Sequence, residues 1–183
     1  MLDPDSLLLA ELARRADQQP GGRHPPVTMR EMEQAESALG FELPSLLRRI
    51  FLDVADGGFG PGFGLLRLEL GEPRETLVGI YTAFAGAPED PMPDCLLPIC
   101  HWGCSIWSCL DCRTEERPIV TMNSDRPLAN AGRTLHSWLQ AWLDGVKLWD
   151  EMFERTECTG INPFTKQPIE YRGQGNPKGT PWP

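Results

Sequence analysis

The chain has 183 residues, of which 40% are apolar and 23% are charged, a balance typical of a soluble globular protein and not of a disordered or fibrous one. This length predicts one compact domain, because it is too short for two ordinary ones. The formal net charge of −9 disfavours nucleic acid as a partner, since phosphates are repelled by an acidic surface, and it suits a cationic protein partner instead.

The sequence also disfavours a membrane or secreted location. No apolar run approaches the about 20 residues that a membrane-spanning helix needs, so no contact with a membrane is expected. The N-terminal segment has acidic residues before its apolar run and basic residues after it, the reverse of the charge order of a secretory signal. We therefore predict a cytoplasmic protein, in which the six cysteines are reduced thiols rather than disulfides.

Residues 1–26 are predicted to form a helix followed by a linker. The helix is expected from Ser6 to Ala16, with Asp5 or Ser6 positioned to cap its first turn. The prolines and glycines that come next end this helix, because proline fixes the backbone and removes a hydrogen-bond donor.

Residues 27–155 are predicted to form the domain itself, and a capping box marks where it begins. Thr28 and Glu31 are spaced so that each side chain can bind the other residue's exposed backbone amide. The helix that starts here is expected to end at Gly40, since glycine readily adopts a left-handed conformation. A further helix is predicted to begin at Pro44, and its apolar residues recur at the spacing of one buried face. They are Leu46, Leu47, Ile50, Phe51 and Val54.

The glycine-rich stretch 57–64 invites comparison with a phosphate-binding loop. Such a loop opens a helix whose amides point at the anion, whereas these glycines follow a helix and precede a predicted strand over residues 65–70. A sharp turn with positive backbone angles is the better interpretation.

The second half of the domain predicts a sheet. A helix is expected over residues 77–84, followed by a β-hairpin with strands at 96–101 and 105–112 and a third strand at 118–122. Short connections between these strands favour a mostly antiparallel sheet.

The C-terminal part is predicted to be a long helix and a tail. Thr134 can cap a helix whose apolar residues keep the helical period as far as Phe153, and we expect this helix to pack on the sheet. Residues 156–183 are rich in glycine and proline, so a flexible tail is predicted. The expected fold class is therefore α+β, with N-terminal helices before a central sheet.

The cysteines around the predicted hairpin could indicate a metal or redox site. Structural zinc commonly takes its four ligands from two paired C-x-x-C motifs, and this region has one such pair, Cys109 and Cys112. Within a strand, these two side chains would point to opposite faces and could not share a metal ion. We therefore expect core thiols, no metal ligand and no cofactor, with a zinc-stabilised module as the alternative. That module would use the hairpin thiols and one histidine: Cys95, Cys100, His101, Cys104, Cys109 and Cys112.

No catalytic residue can be assigned. His24, His101 and His136 stand in no motif that places a base beside a nucleophile. The acid pair Glu115-Glu116 falls in a predicted loop and has the pattern of solvated charge rather than of acid–base machinery. We therefore expect that the chain is not an enzyme.

Residues 27–60 combine an acidic helix containing Glu33 and Glu36, a Leu43-Pro44 turn, a second helix and the turn Asp56-Gly57-Gly58. This order resembles the opening of the SUKH superfamily, the Smi/Knr-type domain, in which Asn is common at the position of Asp56. The hairpin, the next strand and the helix after Thr134 are similar to the later part of the family pattern. The resemblance covers roughly residues 27–149.

The resemblance implies an α+β domain without catalytic residues. Bacterial members are frequently immunity proteins that bind and neutralise a cognate toxin, often a nuclease, and eukaryotic relatives act as regulatory binding modules. We therefore predict a non-enzymatic immunity protein whose acidic charge suits a basic toxin domain, with an intracellular regulatory or scaffold protein as the alternative. The contact residues we predict are exposed aromatics and acids near the hairpin and the glycine turn: Trp102, Trp107, Asp111, Phe59 and Phe63.

Overall fold

The computed structural model describes residues 3–19, 23–68, 76–87, 92–103, 105–123, 126–161 and 167–183. Its fold is α+β, as predicted, with helices packed on one face of a five-stranded antiparallel sheet. No helix in these ranges has the length and apolarity that a membrane crossing requires.

In the described part of the chain, four helices precede the sheet and two follow its fourth strand. The first four are α1 (Pro4–Asp17), α2 (Met29–Leu39), α3 (Ser45–Arg49), which continues as a π-helical turn (Ile50–Val54), and α4 (Leu77–Ala85). The last two are α5 (Leu135–Leu143) and α6 (Leu148–Met152).

Local sequence specifies where two of these helices begin. At α2, the backbone amide of Glu31 donates to the Thr28 hydroxyl, and the amide of Thr28 donates to the Glu31 carboxylate at 2.7 Å, which confirms the capping box. Gly40 ends α2 with a φ of 83°, also as predicted. Helix α1 begins earlier than predicted, because Asp3 provides the cap and Pro4 can occupy a first-turn position that needs no donor.

The sheet contains the predicted hairpin and third strand, together with two strands that were not predicted. In spatial order its strands are β1 (Leu96–Gly103), β2 (Ile106–Asp111), β3 (Pro118–Asn123), β4 (Arg126–Thr134) and β7 (Thr180–Pro181). A separate antiparallel hairpin is formed by β5 (Phe153–Ile161) and β6 (Pro168–Pro177).

The prediction of one long C-terminal helix is wrong. Helix α5 ends at Leu143, and Gly145 takes a positive φ of 79° before the short helix α6 begins. The helical period continued in the sequence because both helices bury apolar residues in the same core. These residues include Trp138, Leu139, Leu148 and Met152.

The prediction of a flexible tail over residues 156–183 is also corrected for the part that the structure describes. Strands β5 and β6 pair with each other, and β7 pairs with β4 at the edge of the main sheet. Trp182 packs against the sheet beyond β7. Composition alone favoured a tail, because it does not report the backbone partners that a strand finds elsewhere in the fold.

The sheet separates two apolar clusters. The larger cluster lies between the helices and the side of the sheet that carries Ile106 and Leu110, which we call the helix face. The smaller cluster lies on the opposite side, which we call the open face, and is formed by Met92, Leu96, Cys109 and Val120. Among the described residues, half-buried apolar side chains pack against this cluster, and two of them come from outside β1 to β4: Phe84 of α4 and Trp182 near the C-terminus.

Candidate functional site

The glycine turn, residues 57–64, is anchored by the buried carboxylate of Asp56. This carboxylate accepts hydrogen bonds from the Leu68 amide at 2.7 Å and from Arg67 Nε at 3.0 Å, so it ties the start of the turn to the chain beyond its end. Gly57 has a φ of 61°, and a Cβ there would lie 2.6 Å from the Leu66 carbonyl oxygen. The sharp turn with positive backbone angles is therefore confirmed.

The glycine turn docks on the end of β1 and presents Phe63 to solvent. The Phe63 amide donates to the His101 carbonyl at 3.0 Å, and a Cβ on Gly62 would lie 2.8 Å from that same oxygen. Phe63 itself is 74% exposed. Its ring meets His101 edge to face, with centroids 5.7 Å apart.

Phe63 is the first member of a row of four aromatic rings. His101 and Trp107 are cross-strand partners in the β1–β2 hairpin, and their rings stack with centroids 4.1 Å apart. Trp107 in turn meets Phe84 of α4 edge to face at 5.7 Å. We call Phe63, His101, Trp107 and Phe84 the aromatic row. Burial lowers the pKa of His101, so its imidazole is neutral at neutral pH and suited to stacking.

An apolar groove of about 610 Å³ lies beside the aromatic row on the open face. Its apolar lining includes Phe84, Met92, Trp107, Met122 and Leu128. Exposed Arg126 also lines it. The volume is within the range of sites that hold a ligand or an inserted side chain.

The five residues predicted to contact a partner do not form one surface. Phe63 and Trp107 both belong to the aromatic row. Trp102 points to the other side of the sheet, where its indole Nε1 donates to the hydroxyl of buried Ser108 at 2.9 Å. Phe59 is 2% exposed and packs in the larger core, so it offers no side chain to a partner.

Asp111 was expected to be an exposed acid, and the structure corrects this expectation. It is 2% exposed, and its carboxylate accepts hydrogen bonds from Arg113 Nη2 and Trp182 Nε1, each at 2.9 Å. The bond from Arg113 is the main cause of a lowered pKa at Asp111, so this carboxylate is ionised at neutral pH. Asp111 therefore holds the C-terminal segment against β2.

His101 and Phe84 belong to the aromatic row, but sequence reasoning predicted neither of them as a partner contact. His101 was considered only as a ligand of the alternative zinc module and as a histidine outside any catalytic motif, whereas its stacking depends on being opposite Trp107 in the hairpin register. Pairing the predicted strands residue by residue could have revealed that stack. Phe84 meets Trp107 only through tertiary packing, for which the sequence carries no local signal.

Three of the described cysteines, Cys100, Cys109 and Cys112, have the properties of core thiols. Cys95, Cys100, Cys109 and Cys112 are free, and burial raises the pKa of Cys100 and Cys109 and brings that of Cys112 to about 12. These three thiols are therefore protonated at neutral pH. Within the described ranges, no three side chains of His, Cys, Asp or Glu converge as a metal site would require. Cys104 lies outside those ranges.

Residues 26–141 match the SMI1 / KNR4 family (SUKH-1). The matched range is more than half of the chain, and it includes the glycine turn, the aromatic row and the first four strands of the sheet. Helix α6 and strands β5 to β7 lie beyond it. No curated protein matches the chain.

Proposed function

The chain belongs to the SMI1 / KNR4 family (SUKH-1), and from that membership we propose that it is a non-enzymatic, cytoplasmic immunity protein. In this role it binds a cognate toxin and covers the toxin's active site or substrate groove. The partner that its charge suits is a basic toxin domain, such as a nuclease.

Among the structural features, the exposure of Phe63 gives the strongest support for the protein-binding part of this proposal. A large aromatic side chain that is 74% exposed loses contact with water only if a partner covers it. Its neighbours in the aromatic row and the adjoining groove extend the apolar surface, and aromatic anchors beside pockets are enriched among residues that dominate binding energy.

Charge supports the proposed identity of the partner. The net charge of −9 attracts a basic domain and raises the rate of encounter, an effect that salt screens. Asp94, Glu115 and Glu116 are exposed in the loops that flank the β1–β2 hairpin. We therefore expect the association rate to fall as ionic strength rises.

The test uses the toxin encoded beside the gene for this chain, if one is encoded there. Coexpression of the chain should restore growth to cells that produce the toxin, and the purified chain should inhibit the toxin's activity. Phe63→Ala should weaken binding by about tenfold or more, which corresponds to about 1.4 kcal/mol, as measured by titration calorimetry.

Leu7→Ala is the matched control, because Leu7 is also a large exposed apolar residue, 59% exposed, but lies on α1 away from the aromatic row. This variant should bind as the unchanged chain does. The immunity proposal fails if the neighbouring genes encode no toxin, or if the chain neither restores growth nor inhibits the toxin. Tight binding to a housekeeping protein without inhibition of any toxin would favour the regulatory or scaffold role instead.

A further inference from the structure

A second cavity, of about 460 Å³, opens on the other side of the glycine turn from the aromatic row. Three tryptophans line it: Trp102 from the end of β1, Trp142 from α5 and Trp149 from α6. We call it the tryptophan cavity. Residues 60–62 of the glycine turn also line it.

Packing and hydrogen bonding fix two of these indoles. The ring of Trp149 is held against Phe153, with centroids 4.5 Å apart, and Trp102 is held by its hydrogen bond to Ser108. The rings of Trp102 and Trp149 are 5.9 Å apart and tilted by 56° to each other. They therefore form two inclined walls of the cavity rather than one flat surface.

The chemistry of this lining favours a cation. Indole binds cations more strongly than the other aromatic side chains, because its ring face carries negative charge density. Trp142 already interacts with a cation of the same chain, since the Arg15 guanidinium lies 5.5 Å from its ring centroid. The net charge of −9 adds a favourable field for a positively charged ligand.

We infer that the tryptophan cavity binds the cationic side chain, ammonium or guanidinium, of a protein partner. That a protein partner exists rests on the proposed function. That the cavity prefers a cation rests on the residues that line it. Gly62 lines the cavity while Phe63 begins the aromatic row, so one partner can contact both surfaces across the glycine turn.

Lys147 allows a test of the preference for cations, because its own positive charge lies among the residues that line the cavity. Its backbone carbonyl accepts a hydrogen bond from the Asp150 amide at 2.9 Å at the start of α6, and its side chain is exposed. A Lys147→Met substitution preserves the backbone and most of the side-chain length but removes a charge that repels the ligand. This variant should bind a cation more tightly than the unchanged chain.

The experiment compares two probes of the same shape and different charge. The arginine probe is Nα-acetyl-arginine amide, and the citrulline probe is its neutral counterpart, Nα-acetyl-citrulline amide. Each is titrated into the full chain while the indole N–H resonances are followed by NMR. The arginine probe should shift the resonances of Trp102, Trp142 and Trp149, and the citrulline probe should leave them in place. Equal shifts with both probes, or none with either, would overturn the inference.

Two variants locate the binding. Trp149→Leu should weaken binding of the arginine probe by about tenfold, the effect of about 1.4 kcal/mol from a desolvated cation–π contact. Trp182→Leu is the matched control, because that tryptophan stacks on Arg113 outside the cavity, and it should bind as before. An equal loss in both variants would contradict the assignment. If Trp149→Leu does not fold, the two probes still decide the question on the unchanged chain.

These measurements separate the inference from the proposed function. A chain that binds the arginine probe in the cavity but neither binds nor inhibits the toxin refutes the immunity proposal alone. A chain that inhibits the toxin but does not discriminate arginine from citrulline refutes the cavity's role alone.

Discussion

The two ends of strand β2 carry side chains on the same open face, yet one end is accessible and the other is closed. At the open end, Trp107 stacks on His101, and the His101 ring contacts the exposed ring of Phe63. At the closed end, Asp111 is buried beneath hydrogen bonds from Arg113 and Trp182. The alternation of side chains along β2 therefore determines on which face of the sheet a residue lies. Contacts with other parts of the fold determine whether that residue is available for binding.

The two ends also differ in how they are held. The open end depends on backbone, because the glycine turn docks through main-chain hydrogen bonds and tolerates no Cβ at its closest approaches. The closed end depends on a side chain, the Asp111 carboxylate, which accepts hydrogen bonds from Arg113 and Trp182. Substitutions at the two ends should therefore differ in size and in kind.

The largest effect is expected from Gly57→Ala at the open end. The added methyl group would lie 2.6 Å from a backbone oxygen at a φ of 61°, so both steric clash and backbone strain oppose it. We expect the free energy of unfolding to fall by about 3 kcal/mol, measured by urea denaturation.

Gly40→Ala is the control for Gly57→Ala, because Gly40 also has a positive φ but nothing lies within 4 Å of the position that a Cβ would take there. It should cost about 1 kcal/mol. Equal losses in the two variants would show that backbone angle alone, and not the close approach of the turn to its neighbours, accounts for the effect.

A smaller effect is expected from Asp111→Ala at the closed end. The substitution removes the acceptor of Trp182 Nε1 and leaves that indole without this bond, while exposed Arg113 is readily hydrated. We expect a loss of about 2 kcal/mol in the free energy of unfolding. Glu115→Ala, which changes an exposed carboxylate in the next loop, should be close to neutral.

The pH dependence of that loss identifies the carboxylate as its source. The pKa of Asp111 is lowered in the folded chain, so its stabilising contribution is present above its ordinary pKa, near 4, and is lost as the pH falls through the folded value. The difference in stability between the unchanged chain and Asp111→Ala should therefore narrow under acid conditions. A difference that stays constant with pH would point to packing instead of the ion pair.

A contrast between local and tertiary determinants also explains which elements the sequence can predict and which it cannot. The capping box of α2 and the hairpin β1–β2 were predictable because their determinants are local: Thr28 and Glu31 within one turn, and two apolar strands around a short connection. Strand β4 was not, since Pro127, Asn130 and Gly132 are poor strand formers that are held in place by β3.

The residues of the candidate site also include some that the sequence could predict and some that it could not. Phe63 and Trp107 were predictable as aromatics near turns, and the structure places both in the aromatic row. The burial of Asp111 was not predictable, because one of the two residues that donate to it, Trp182, lies 71 residues further along the chain. A carboxylate next to a loop has the pattern of a solvated charge until that distant partner is known.

The smallest expected effect concerns His101. It tests whether water is excluded from the imidazole where this ring stacks on Trp107. Burial lowers the pKa of this imidazole, so the unfolded chain takes up a proton at a higher pH than the folded chain does. The stabilising contribution is therefore complete above the ordinary histidine pKa of about 6.5 and is lost as the pH falls through the folded value. Stability measured between about pH 5 and 7 should decline less in His101→Phe, which keeps a ring between Phe63 and Trp107 but cannot be protonated. An NMR titration that gave His101 a pKa at or above the unfolded value would mean that water reaches the stack, and the open end would then resemble an ordinary solvated surface.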